Sequence, residues 1–142
     1  MQQHNFHYIV RGIIRDSEHF LLCKQKYGDY TFLLGGHIDL GEGAKFALAR
    51  EIKEEIGADV TVGQFRGAIE NAWDDNCEIS LVFEVEHNLT KDVTPMPASP
   101  DEEHLAFLWV KSSELAEHNL LPVPLIQWLQ NAEDVNWSST IE

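Results

Sequence analysis

Three glutamates crowd one short stretch of the chain: Glu51, Glu54 and Glu55. If residues 44–56 form a helix, a rotation of 100° per residue places all three within one arc of about 100°. That arc lies beside the apolar stripe of Leu48, Ala49, Ile52 and Ile56, so the carboxylates border the buried face. Like charges at these spacings destabilise a helix by roughly a few tenths of a kcal/mol per pair, and Arg50 and Lys53 offset only part of that. A divalent cation would turn the repulsion into attraction. Hard ions such as Mg²⁺ or Mn²⁺ take carboxylate and carbonyl oxygens. Upstream, Gly35 and Gly36 bring no Cβ, so the backbone can approach an ion or ligand closely. Gly41 and Gly43 flank Glu42 and permit a sharp turn into the helix. A glycine loop followed by inward carboxylates suits a metal–phosphate complex, in which the metal screens charge and lowers the pKa of a water. The competing reading is a solvated acidic helix face.

The elements that must position these groups can be read from periodicity. Tyr8–Ile14 is a β-branched run, and Phe20–Cys23 is a second strand expected to pair with it as a hairpin across Arg15–Glu18. Residues 31–34 make a strand that runs into Gly35-Gly36. The helical period covers residues 44–56, with Gly57 where a left-handed cap is expected. Val60–Trp73 is apolar but broken by Gly63 and Gly67, and Asp74-Asp75-Asn76 reads as a hairpin tip. In the following strand Ile79, Leu81, Phe83 and Val85 alternate with a polar face of Glu78, Ser80, Glu84 and Glu86, broken only by Val82. His87–Glu102 carries three prolines and reads as a long loop, either a lid or a surface excursion. Leu105–Val110 is a further strand, Ser112 or Ser113 is expected to cap a short helix, and Pro122–Gln130 is a final helix. A polar tail is expected from about residue 131. The mixed order of elements implies a layered α/β or α+β domain.

Composition narrows the function. The chain has 142 residues, the length of one domain. The net charge of −14 disfavours duplex nucleic acid and anionic membranes as partners, but not a small phosphate compound bridged by a cation. Two cysteines, Cys23 and Cys77, form no CxxC pair and are expected to be inert thiols. No apolar run is long enough for a membrane span, and Met1–Asn5 shows no signal-peptide pattern. A cytoplasmic location is expected.

The spacing from Gly36 to Ala58 resembles the Nudix hydrolase family, whose box is G-x5-E-x7-R-E-U-x-E-E-x-G-U, with U a bulky aliphatic. Gly36, Glu42, Arg50, Glu51, Ile52, Glu54, Glu55 and Gly57 all match. Ala58 departs at the last position, which concerns packing, and Leu34 stands where many members have proline. The resemblance implies a single Nudix domain over residues 1–142, an α/β/α sandwich around a mixed sheet. It implies a MutT-like pyrophosphatase in which water attacks phosphorus of a nucleoside triphosphate or related nucleoside diphosphate derivative. The implied metal ligands are Glu51, Glu54, Glu55 and the Gly36 carbonyl, for Mg²⁺ or Mn²⁺. Arg50 is expected to orient the carboxylates through a salt bridge to Glu42. The general base is a box glutamate or a distant one, and Glu102 and Glu103 are the distant candidates. Glu54, Glu55, Arg50 and Glu103 are carried forward as the catalytic set.

Substrate selection must come from outside the box. Trp73 could stack on a base and Glu70 could face the cleft, although a core tryptophan and an exposed strand glutamate are the plainer roles. Tyr30 and Phe32 read as core or rim. His37 occupies a variable box position. The proline that marks ADP-ribose members is replaced by Trp73-Asp74-Asp75, and neither the diadenosine-polyphosphate tyrosine nor a coenzyme A signature is present. An ADP-ribose or nucleotide-sugar pyrophosphatase is the first alternative, and a non-catalytic nucleotide-sensing module is the alternative of another class. Many relatives are dimers, so a homodimer is open, although nothing in the sequence requires one.

Overall fold

The computed structural model describes residues 5–131 and 135–142. Eight strands form one mixed sheet: β1 (Asn5–Ile13), β2 (Arg15–Asp16), β3 (His19–Gln25), β4 (Phe32–His37), β5 (Thr61–Trp73), β6 (Asn76–Glu86), β7 (Leu105–Lys111) and β8 (Asn136–Ser139). The order is β2-β3-β4-β1-β6-β5-β8, with β7 on the other edge of β3. β1 runs parallel to β6 and antiparallel to β4. Helix α1 (Ala44–Ile56) packs on one face and helix α2 (Pro124–Gln130) on the other, which is the α/β/α sandwich expected from the sequence. Among the described residues no helix is long and apolar enough to cross a membrane.

Strand alternation separates two cores. Val10, Ile14, Leu34, Phe83 and Val85 face α1 and meet Ala47, Leu48 and Ile52. Ile13, Leu33, Ile69 and Val82 face α2 and meet Leu125, Trp128 and Leu129. Each fully buried aliphatic side chain contributes about 1.5–3 kcal/mol relative to exposure. The buried stripe of α1 is Ala47, Leu48, Ile52 and Glu55, so Ala47 replaces the expected Ala49 and one glutamate lies on the stripe itself. Gly57 closes the helix with φ 74°, its N–H bonding the Lys53 carbonyl.

Several expectations change. β1 does not form a hairpin with β3, because both its edges are taken by β4 and β6; the hairpin is the short β2–β3 pair, turning at Ser17 and Glu18. The breaks at Gly63 and Gly67 are register shifts within one long strand, β5. On the polar face of β6, Ser80 and Val82 are buried, and Glu86 at its end is exposed. Glu84 there pairs with Arg15 and with the fully buried Arg66, whose Nη1 donates at 2.8 Å. Ser112 and Ser113 lie inside a 3-10 turn that has Lys111 at its cap position and no side-chain cap. The proline-rich segment is anchored: the Ala98 N–H donates to the Glu55 carbonyl, and Trp109 Nε1 donates to the Val93 carbonyl. The expected tail contains β8, which pairs in parallel with β5.

Candidate active site

β4 changes partners where the glycines stand. Phe32 and Leu33 pair with β3, and Leu34–His37 pair with β1. Helix α1 returns over this point. The Glu51 carboxyl lies on Gly36 so closely that a Cβ there would sit 2.5 Å from Glu51 Cδ. The Gly35 N–H donates to Glu55 Oε1 at 3.1 Å. Gly35 has φ 144°, and a Cβ there would run into the Val10 carbonyl oxygen.

Arg50 gathers the acids. Its Nε and Nη2 donate to both oxygens of Glu42, at 2.6 and 2.8 Å, a bidentate fork. Its Nη1 donates to Glu51 at 3.1 Å and to Glu54 at 3.2 Å. The Arg50 hydrogen bonds hold the Glu42 carboxyl down at about 2, with the Asp39 N–H also contributing. The same carboxylates push the Arg50 pKa up. Burial raises Glu51 above the usual carboxylate range, partly opposed by Arg50. Glu55 is 4% exposed. Burial pushes its carboxyl up to about 8, against the charge of Arg11 and the Gly35 N–H.

Glu51 and Glu55 form one wall of a cleft of about 890 Å³ that also takes in Leu33, Ile69, Val82 and Leu125 of the α2-side core. Glu102 lines the same cleft, whereas Glu103 is exposed and does not reach it. The expectation for Glu103 therefore passes to its neighbour, because the 3-10 turn Pro100–Glu102 points Glu102 inward. Trp73 lines the far end, 43% exposed. Glu70 does not line the cleft: alternation along β5 puts Ile69 and Asn71 there, and Glu70 accepts from Ser139 Oγ at 2.7 Å. Tyr30, Phe32 and His37 line the wall. Cys23 is buried, and burial with the Glu55 charge raises its thiol far above the usual range; Cys77 is half-buried.

Cleft residues missed in the sequence include His7, Arg11, Asn71 and Glu78. His7 stacks on Trp73 at 5.6 Å between centroids, and its ring nitrogens lie 3.0 Å from His37 Nε2 and 2.9 Å from Asn76 Oδ1. The only available signal for Arg11 was a charge inside an apolar β-branched run.

The donor set fits a hard divalent ion. Three carboxylates share one edge of one helical turn, Gly36 leaves room for one of them, and Glu55 has no cation at ion-pair distance among the described residues. These side chains are at present held by Arg50 and Gly35, and no three His, Cys, Asp or Glu among the described residues are gathered as a metal cluster.

Comparison with known proteins agrees with this architecture. Over 128 residues the chain is 29% identical to the nucleoside triphosphatase NudI of Salmonella agona (strain SL483), covering 79% of this chain and 86% of that protein. The MutT protein of Methanosarcina mazei Go1 superposes with TM-score 0.73 at 20% identity, over 92% of this chain and 94% of that one. The E. coli ORF135 protein superposes with TM-score 0.69 at 23% identity, over 89% and 90%. The NUDIX domain model matches residues 5–129. With that match spanning the sheet, the glycine loop and the acidic helix, the chain belongs to the Nudix family, as a Nudix hydrolase.

Proposed function

We propose that this enzyme hydrolyses a diphosphate linkage in a nucleoside triphosphate or related nucleoside diphosphate derivative, using Mg²⁺ or Mn²⁺. The observation that carries the reading is the placement of Glu51 and Glu55 in the wall of a cleft that ends at Trp73. The resemblance to a protein named as a nucleoside triphosphatase supports the substrate class.

Glu51, Glu54, Glu55 and the Gly36 carbonyl would hold the ion. When bound it neutralises phosphate charge and lowers the pKa of the attacking water. Arg50, fixed by Glu42, keeps the carboxylates on one edge of the helix. Glu102 borders the cleft on the opposite loop and takes the proton of the water as its oxygen bonds to phosphorus. The bridging P–O bond breaks and its electrons leave with the departing phosphate oxygen. Trp73 offers a ring face to a base; such stacking contributes about 1–3 kcal/mol.

The test is release of phosphate or pyrophosphate from canonical and oxidised nucleoside triphosphates, ADP-ribose, nucleotide sugars, dinucleoside polyphosphates and coenzyme A. Each is run with Mg²⁺, with Mn²⁺ and with chelator, beside Glu54→Gln. Metal-dependent turnover that falls about a hundred- to a thousandfold in the variant supports the reading. Nucleotide binding without turnover on any substrate would replace it with the sensing module.

A further inference from the structure

Arg11 is the one Lys or Arg among the described residues that lines the cleft. The other three arginines have carboxylate partners: Arg50 has Glu42, Glu51 and Glu54, and Arg15 and Arg66 share Glu84. Among the described residues Arg11 has no carboxylate at ion-pair distance. Its Nη1 donates to the Leu33 carbonyl at 3.0 Å, and its guanidinium lies 5.4 Å from the Phe32 ring centroid. One of the five N–H donors of the fork is thereby engaged. A half-buried guanidinium in a central strand that acts on Glu55 only at a distance, with no direct ion pair, is costly, and an anion in the cleft would offset that cost.

Its position says which anion. On β1, Arg11 stands opposite Gly35, whose N–H holds Glu55, and opposite Val82 on β6. Four residues back along the same face is His7, stacked on Trp73. At a strand rise of 3.3 Å per residue the two lie about 13 Å apart, the scale of an extended nucleoside diphosphate. Resting on the hydrolase reading above, we infer that Arg11 binds the non-bridging oxygens of the substrate's diphosphate through its guanidinium fork, between the acidic edge of α1 and the base site at Trp73.

The probe is methylenediphosphonate, a diphosphate mimic whose P–C–P bridge does not hydrolyse, titrated calorimetrically with Mg²⁺ into wild type, R11K and R11Q. R11Q is expected to bind it about 10- to 100-fold more weakly, the size of a lost charge-assisted pair. R11K falls between, because lysine keeps the charge without the fork. Affinity for Mn²⁺ alone does not fall in R11Q, since removing a positive charge near Glu55 cannot weaken cation binding. In wild type the ¹⁵N resonance of the Arg11 Nε–H shifts when the diphosphonate is added, a measurement that stands even if R11Q fails to fold. A folded R11Q with affinity within about threefold of wild type, or an Arg11 resonance that does not move, overturns the assignment. A purely structural tie between β1 and β4 would lower Tm and leave diphosphonate affinity unchanged. If wild type turns over nucleotides while R11Q keeps its diphosphonate affinity, the Arg11 assignment falls and the hydrolase stands. Arg11-dependent binding without product from any substrate has the reverse meaning.

Discussion

Glu54 and Glu55 are adjacent in sequence and opposite in environment. The Glu54 side chain is 49% exposed and bound to Arg50, whereas Glu55 is 4% exposed and bound to a backbone N–H. With its carboxyl pushed up from 4.5 to about 8, Glu55 holds a proton in the folded chain that the unfolded chain has released. Stability of the metal-free protein therefore decreases as pH rises through that window. A cation must displace the same proton. Apparent Mn²⁺ affinity is expected to rise about tenfold per pH unit and level off near pH 8; calorimetry at several pH values checks this, and a flat profile would remove Glu55 from the ligand set. Glu102→Gln should lower kcat by about a hundredfold or more, while Glu103→Gln leaves kcat and KM unchanged; steady-state kinetics of the pair decide between them. The arc of Glu51, Glu54 and Glu55 was legible in the sequence because helix geometry is local, whereas the tie of Arg50 to Glu42, which lies before the helix, came from the family resemblance. Arg11, His7 and Asn71 were not legible, because a strand residue's neighbours depend on pairing with segments far along the chain.

At the level of elements, two adjacent glycines do different work. Gly35→Ala places a Cβ against the Val10 carbonyl at φ 144°, and backbone strain alone costs about 1–3 kcal/mol. A lower Tm with folding lost before chemistry is expected. In Gly36→Ala the three atoms nearest the Cβ all belong to the Glu51 carboxyl, with Cδ 2.5 Å away. That flexible end can move, so the fold survives while metal affinity falls by about ten- to a hundredfold. Thermal melts and Mn²⁺ titrations of the two variants should separate them, and equal losses of stability would contradict the contrast. The loop was readable as glycine-rich, but not which glycine serves the sheet and which the site. That distinction depends on β4 pairing with β1, a contact formed from residues far apart in sequence.

Across the whole molecule, the C-terminal strand closes the sheet rather than trailing from it. Trp128 Nε1 donates to Ser138 Oγ at 3.0 Å, and Thr140 Oγ1 donates to Asn71 Oδ1 at 2.6 Å. Removing residues 135–142 should lower Tm by about 5–10 °C and raise KM through Asn71, with metal affinity unchanged; melts and kinetics of the truncated protein check this. The segment read as a tail because its pairing with β5 is parallel and has no hairpin turn to announce it. The partner change of β4 reaches further. Glu102 hangs from the half-sheet of β3 and β7, while Arg11 and Trp73 belong to the half-sheet of β1, β6 and β5. The two halves meet along a single shared strand, at the glycines beside Glu51 and Glu55. The molecule is therefore built as a pair of jaws with the carboxylates of Glu51 and Glu55 at the pivot. Any change in the angle between the jaws moves Glu102 relative to Arg11 and Trp73, and so reshapes the cleft from both sides at once.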